Sequence, residues 1–589
     1  MERVRDILEG PLGIRAEEGP CKIMAIGEAV RRFVRPGMTL HALSSNCRPH
    51  ALLHEVARRF WGRDPRFTYV TISATGIAVA LVHGGLLKRV VTTFCGDSYP
   101  TPGPNPVYLK AWRDKTLEIE NWTMLTLPLR LKAAAMGVTW HPTRSLVGSS
   151  MAEENRGLFE MMDGEPTVGM VRALEPDLSL VHAWAADPSG NALFAPPYGE
   201  DIHGALAAKE GAIISVERIV SAEFLRRHNH LVRLPSYAVR AVCLAPFGSH
   251  PGGMSNRGVP ELEAYAEDYA FLNEVRRASR SPETLDAWVR AWILDLPDHA
   301  AYVRKLGYDR VLFLKGKADG DSWRPELAEL SDSLDLDAPP TPVETMIAVA
   351  GRRIAARSRD AGYRTILAGV GASNLAAWLA NVTLRSEGLE SELMAELGFY
   401  GYSPRPADPF IFNFRNLPTC KLLTGIETTM GIFMGGQRNR CIGALGAGQV
   451  DRAGNLNTTL IPGETYLVGS GGANDIASAA REVIVCARQD AARFPARVPY
   501  ITSPGRGVRT VVTDLGVLEK RAEELILTGV FPEGDLPLEA LARRAVQRCG
   551  WPLGVAGDVA RVAPATREET SLLRLFDPRR QFLGKSGGR

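Results

Sequence analysis

Glu396 stands in the run SELMAELG, directly after a segment that reads as a strand and before Gly398. A carboxylate flanked by apolar and aromatic residues is costly to bury without partners, so it is a poor structural choice unless it is used. Its chemistry would be that of a nucleophile or base. Read alone, a solvated or ion-paired loop glutamate is the commoner outcome. Two glycine turns lie on either side of it. Upstream, RTILAGVGASN runs into NLAAWLANV and places Gly369, Gly371 and Asn374 at a strand-to-helix turn. Glycines there let a ligand approach the backbone, and a helix N-terminus favours an anion. Asn374 replaces the third glycine of a dinucleotide fingerprint, which counts against NAD. Downstream, the strand TYLV enters Gly469-Ser470-Gly471-Gly472-Ala473-Asn474-Asp475 and then a helix. Bare amides at such a turn could cradle a developing oxyanion. For both turns the plain alternative is tight packing with no ligand.

These groups need a framework that presents strand ends. In the first half, FTYVTIS, KRVVTTF, GAIISV and YAVRAVCL alternate with HALLHEVARRF and LPLRLKAAAMG. In the second, RTILAGVG, TYLVGSGG and VRTVVTDLGV alternate with NLAAWLANVTL and IASAAREV. The alternation predicts mostly parallel sheets covered by helices. The halves also share words in order. Asp187-Pro188-Ser189-Gly190-Asn191 and Asp451-Arg452-Ala453-Gly454-Asn455 lie 264 positions apart, and Val239-Arg240 and Val508-Arg509 lie 269 apart. Shared order at nearly constant spacing points to duplication, although the first motif also suits an ordinary turn.

At 589 residues the chain exceeds the roughly 250 to 300 residues at which one core stops growing, so several domains are expected. The acidic, proline-bearing stretch from Lys317 to Pro342 reads as a connection. The expected division is 1–320, a linker at 321–342, a domain at 343–525 holding Glu396, and a helical extension and tail at 526–589. With 45% hydrophobic and 23% charged residues, and a net charge of +3, the chain is an ordinary globular protein. No field implies nucleic acid or a membrane surface. The longest apolar stretch, near Ile77 to Leu87, falls short of the roughly 20 residues that span a bilayer. Eight scattered cysteines without zinc spacing predict reduced thiols in a cytoplasmic protein that needs no metal. All eleven histidines lie at or before His299, so a self-contained Ser-His-Asp or Cys-His site is excluded from the second half.

In the order glycine turn, Glu-x-Gly, Gly-x-Gly-Gly-Ala-x-Asp, the second half resembles the class I coenzyme A transferases. Those enzymes carry S-E-N-G around the nucleophilic glutamate of their β half, and G-x-G-G-A-x-D later in it. Gly469 to Asp475 matches every fixed position, whereas Ala395 and Leu397 replace the serine and asparagine beside Glu396. Gly435 to Leu456 is similar to the family's G-G-H-x-[DN] run followed by L-G-A-x-Q-V-D-x-x-G-N-L. In the first half, ENWTMLTLPLRLKAAAMG resembles the α half of glutaconate-type members through Glu120, Leu127 and Arg130. The N-terminal glycine loop of many α halves is replaced by HALSSNCRP.

The resemblance implies an α/β fold of two related, open, mostly parallel sheet domains, with α and β halves fused. It implies Glu396 as nucleophile, an oxyanion hole from Gly471, Gly472 and Asn439, and Gly469, Gly369 and Gly371 against coenzyme A. The substrates would be an acyl-CoA and a carboxylic acid, exchanged by a ping-pong route through a glutamyl-CoA thioester. Members with separate halves assemble as α₂β₂, so a homodimer is expected. An alternative keeps the fold but hydrolyses a cyclic β-keto acyl-CoA, with Glu120 as base. A third reading is a non-catalytic nucleotide or sugar-phosphate binding protein.

Overall fold

In the computed structural model, which describes residues 1–15, 19–44, 47–164, 167–199 and 202–584, the chain builds two large sheets. Residues 45–46 of HALSSNCRP and 585–589 of the tail lie outside the described residues. The first sheet contains β1 (Thr39–Ala42), β2 (Phe67–Val70), β3 (Leu87–Thr92), β4 (Glu118–Asn121), β5 (Leu178–Ala186), β6 (Ala212–Ile219) and β7 (Val239–Leu244). Their order is β4-β3-β2-β1-β5-β6-β7, and every pairing is parallel. β5, LSLVHAWAA, is buried at each position, as a central parallel strand covered on both faces must be.

The second sheet contains β8 (Thr365–Ala368), β9 (Glu392–Ala395), β10 (Phe399–Tyr402), β11 (Cys441–Gly446), β12 (Glu482–Cys486) and β13 (Val508–Val512). They run in the order β10-β9-β8-β11-β12-β13, parallel from β9 to β13. The series β9-β8-β11-β12-β13 therefore repeats β2-β1-β5-β6-β7, pairing for pairing. Helices cover the second sheet. α1 (Pro342–Ala361) opens on a capping box between Thr341 and Glu344 and ends at left-handed Gly362, and it packs along α2 (Ala372–Ser386).

The duplication reaches atomic detail. Asp187 Oδ1 accepts from the amides of Ser189, Gly190 and Asn191, and Asp451 Oδ1 accepts from those of Ala453 and Asn455. Gly190 and Gly454 both have left-handed φ, and a Cβ on either would meet the first valine of the last parallel strand, Val239 or Val508. The motif is more than a local turn, because in both halves its glycine packs on the first valine of the corresponding parallel strand.

The stretch 321–342 and the C-terminal stretch 526–589 both hold regular structure. Within 321–342, Trp323–Leu330 is helical, and the carbonyls of Asp335 and Ala338 accept from Arg574. The segment is thus fastened to the second half rather than bare. Within 526–589, two strands accompany the helices. β14 (Gly516–Arg521), β15 (Glu524–Val530) and β16 (Val555–Arg561) extend the second sheet beyond β13. The run ELILTGV alternates between exposed and buried positions with the period of a strand, a signal masked by the helix-forming LEALARRAVQ that follows. No helix among the described residues is long and apolar enough to cross a membrane.

Candidate active site

The matching strand ends of the two halves face one another. β1 and β2 run out into Ser44, Ile72 and Ser73, and β8 and β9 run out into Val370, Glu396 and Leu397. All six line one cavity of about 140 Å³. Ligands of open α/β sheets bind beyond the carboxyl ends of the strands, and here two such edges close over a single space. Main-chain hydrogen bonds stitch the seam: Cys95 N–H to Val468 O at 2.8 Å, Gly471 N–H to Thr93 O at 2.9 Å, and Met124 N–H to Gly471 O at 2.9 Å. Gly469 has φ +102°, and a Cβ there would lie 2.6 Å from Thr93 O, so only glycine allows the halves this close.

Glu396 is half-buried in the wall of the cavity. Its carboxyl is pushed up to about 8, first by burial and then by the negative charge of Asp475, while the Gly472 amide facing it pulls the other way. No hydrogen bond or ion pair to a cationic side chain relieves it among the described residues. Asp475 is held by the first half: Ser145 Oγ donates at 2.5 Å, Thr123 Oγ1 at 2.7 Å and the Leu125 amide at 3.1 Å. Burial still lifts Asp475 to about 6, with those donors opposing the shift.

The glycines take unequal parts. Gly472 packs so closely that a Cβ would fall 2.0 Å from Glu396 Oε2. Gly471 lines the cavity, and its amide donates to Thr93 O across the seam. Gly469 belongs to the seam. Gly371 donates its amide to Asn374 Oδ1, and Gly369 donates to Ala444 O, so both amides are committed to their turn. Between them, Val370 lines the cavity, and its N–H has no acceptor among the described residues. The upstream glycine turn thus lies against the cavity through Val370.

Two expected residues are employed elsewhere. Asn439 donates Nδ2 to Ala479 O at 2.7 Å and accepts from the Cys441 amide at 2.7 Å. It fastens the loop before β11 and does not line the cavity with Glu396. Glu120, at the end of β4, accepts from Arg130 Nη1 at 2.9 Å and Trp122 Nε1 at 2.7 Å, and is likewise absent from the cavity wall.

Other wall residues escaped the sequence reading. Phe410, Phe412 and Phe414 form an aromatic wall, and their alternation in PFIFNF was a legible sign of one apolar face. Arg48, from HALSSNCRP, and Glu267 come from the first half. No sequence pattern marks Glu267. Among the described residues no group of three or more His, Cys, Asp and Glu is placed to hold a metal.

Comparison with known proteins places the chain in a family. The sequence model described as coenzyme A transferase matches residues 23–245 and 432–533, more than half of the chain. One of the two subunits of glutaconate CoA-transferase from Acidaminococcus fermentans is 26% identical over 314 residues, 50% of this chain and 94% of its own. Of 3-oxoadipate CoA-transferase from Pseudomonas knackmussii, the subunit that matches the second half is 32% identical over 169 residues, 25% of this chain and 63% of its own. The crystal structure of an acyl-CoA transferase apoenzyme from Escherichia coli O157:H7 shares the fold at a TM-score of 0.64, with 16% identity, covering 96% of this chain and 97% of that one. What these two-subunit relatives divide between separate polypeptides is carried here on one, and the chain belongs to the coenzyme A transferase family.

Proposed function

We propose that this protein moves coenzyme A from an acyl-CoA to a carboxylic acid through a covalent intermediate on Glu396. The observation that carries the reading is the unpaired, desolvated carboxyl of Glu396 at the wall of a cavity shared by both halves. The ionised carboxylate attacks the acyl carbonyl, the carbon–sulfur bond breaks, and a mixed anhydride and coenzyme A thiolate result. The thiolate attacks the Glu396 carbonyl and expels the first carboxylate, leaving a glutamyl-CoA thioester. The acceptor carboxylate then repeats the steps in reverse. In the thiolate step the oxyanion forms on a Glu396 oxygen, where the Gly472 amide already stands. The free Val370 N–H is the candidate donor for the oxyanion on the substrate side.

A hydrolase using Glu120 as base is less well supported, since Arg130 and Trp122 occupy that carboxylate. The proposal takes the 321–342 stretch as the boundary between the halves, a homodimer as the assembly and the cytoplasm as the compartment. Light scattering tests the second of these. For the chemistry, acyl-CoA-treated protein is exposed to hydroxylamine or borohydride and digested. Modification confined to the peptide bearing Glu396 is expected, and turnover without a trappable enzyme thioester would refute the reading.

A further inference from the structure

The cavity beside Glu396 has two unlike walls. Phe410, Phe412 and Phe414 supply the apolar one, with Phe410 and Phe412 edge to face at 5.6 Å between ring centres. The other, from the first half, carries Arg48 and Glu267 among serines. Arg48 is fixed by donating Nη1 to Ser73 O at 3.0 Å and to Thr75 Oγ1 at 2.7 Å. The Glu267 carboxyl accepts no hydrogen bond and makes no ion pair among the described residues. Burial pushes it up to about 7, Arg48 and Lys317 oppose that shift, and Asp408 and Asp268 add to it.

Asp268 is itself taken up by Arg310 at 2.5 and 2.7 Å and by His250 at 3.0 Å. The balance around Glu267 is therefore two cations, Arg48 and Lys317, against two carboxyl groups, Glu267 and Asp408. A lone arginine in an acyl pocket would attract the far carboxylate of a dicarboxylic acid. Above about pH 7, where the Glu267 carboxyl is ionised, the wall offers no net positive charge, and an incoming second carboxylate would meet Glu267 in a poorly solvated space. The cavity volume of about 140 Å³ is close to that of an apolar cavity of about 150 Å³ that takes up benzene.

We propose that Glu267 sets acid selectivity: by offsetting Arg48 it makes the cavity accept compact branched or aromatic monocarboxylic acids and reject acids with a second carboxylate. This rests on the reading of Glu396 as the group that receives the acyl chain. The test compares 3-methylbutanoate, benzoate and glutarate as acceptors from acetyl-CoA, in the wild type and in Glu267→Gln. The wild type should favour the monoacids over glutarate by about 100-fold in kcat/KM, and the variant should narrow that ratio by about tenfold. A wild type that uses glutarate within about threefold of the monoacids, or a ratio that Glu267→Gln leaves unmoved, would overturn the proposal.

A second measurement separates this from the chemistry. Calorimetric titration of the same three acids into Glu396→Gln protein reads selectivity without turnover. Stronger binding of the monoacids there supports the role of Glu267 even if no acid accepts coenzyme A. Equal binding of glutarate counts against it even if transfer through Glu396 is established.

Discussion

Replacing Glu396 by glutamine should make the protein more stable and inactive at once, with a stability gain that grows with pH. Folding raises the carboxyl from its ordinary 4.5 to about 8, so the folded chain holds this proton more tightly than the unfolded one. The stability tied to that proton is complete below the unfolded value and is lost progressively as pH climbs to about 8. At about 1.4 kcal/mol per unit, the ionised carboxyl costs the fold about 2 kcal/mol at pH 6 and about 5 kcal/mol at pH 9. Glutamine keeps the shape and an acceptor for the Gly472 amide but never ionises. Paired denaturation of the wild type and Glu396→Gln across this range should show an advantage that widens by about 3 kcal/mol between pH 6 and 9. Transfer activity should fall by about a thousandfold or more, as on removal of a nucleophile. A stability difference that stays flat with pH would show that Glu396 is solvated, and the argument from desolvation would fail.

Gly472→Ala should leave folding intact, since Met430 can yield, but it must turn the carboxyl that lies 2.0 Å from the new Cβ; kcat is expected to drop about 100-fold. Asp475→Asn keeps an oxygen for Ser145 and Thr123 but turns an NH2 donor towards the Leu125 N–H, which loses its acceptor, and should cost about 1 to 3 kcal/mol in a denaturant titration. The same change removes the negative charge that helps raise Glu396, so the ascending limb of kcat/KM against pH should move to lower pH. Arg574→Ala removes one of the two arginines that hold the fully buried Glu344, leaving Arg580 at 3.0 Å, and should destabilise the second half by about 2 kcal/mol in a thermal melt.

The positions of the main actors were legible and their directions were not. Glu396, the two glycine turns and the D-x-x-G-N repeats all occupy strand ends, because strand-helix alternation fixes where a sheet has its carboxyl edge. Which way an amide points depends on partners far away in sequence. Gly471 gives its N–H to Thr93, and nothing near Gly471 announces this. Asn439 and Glu120 likewise have polar atoms bonded to Ala479 and Arg130 through tertiary packing, which no local pattern announces. Glu267 was invisible because an unpaired buried carboxylate has no local pattern. The alternating phenylalanines were readable and passed over, because PFIFNF is framed by loop-forming residues rather than by the turns that mark a strand.

The seam between the halves has a consequence for how function is regulated by assembly itself. Asp475 sits on one half and draws three of its hydrogen bonds from the other, and the backbone links at Gly471 lie within two residues of Gly472. Any loosening of the two halves would admit water to Glu396, lower its proton affinity and blunt its reactivity before either sheet unfolded. Joining both parts in one chain keeps each at an effective local concentration of about millimolar, so the reactive state survives dilution that would separate an equivalent two-chain enzyme.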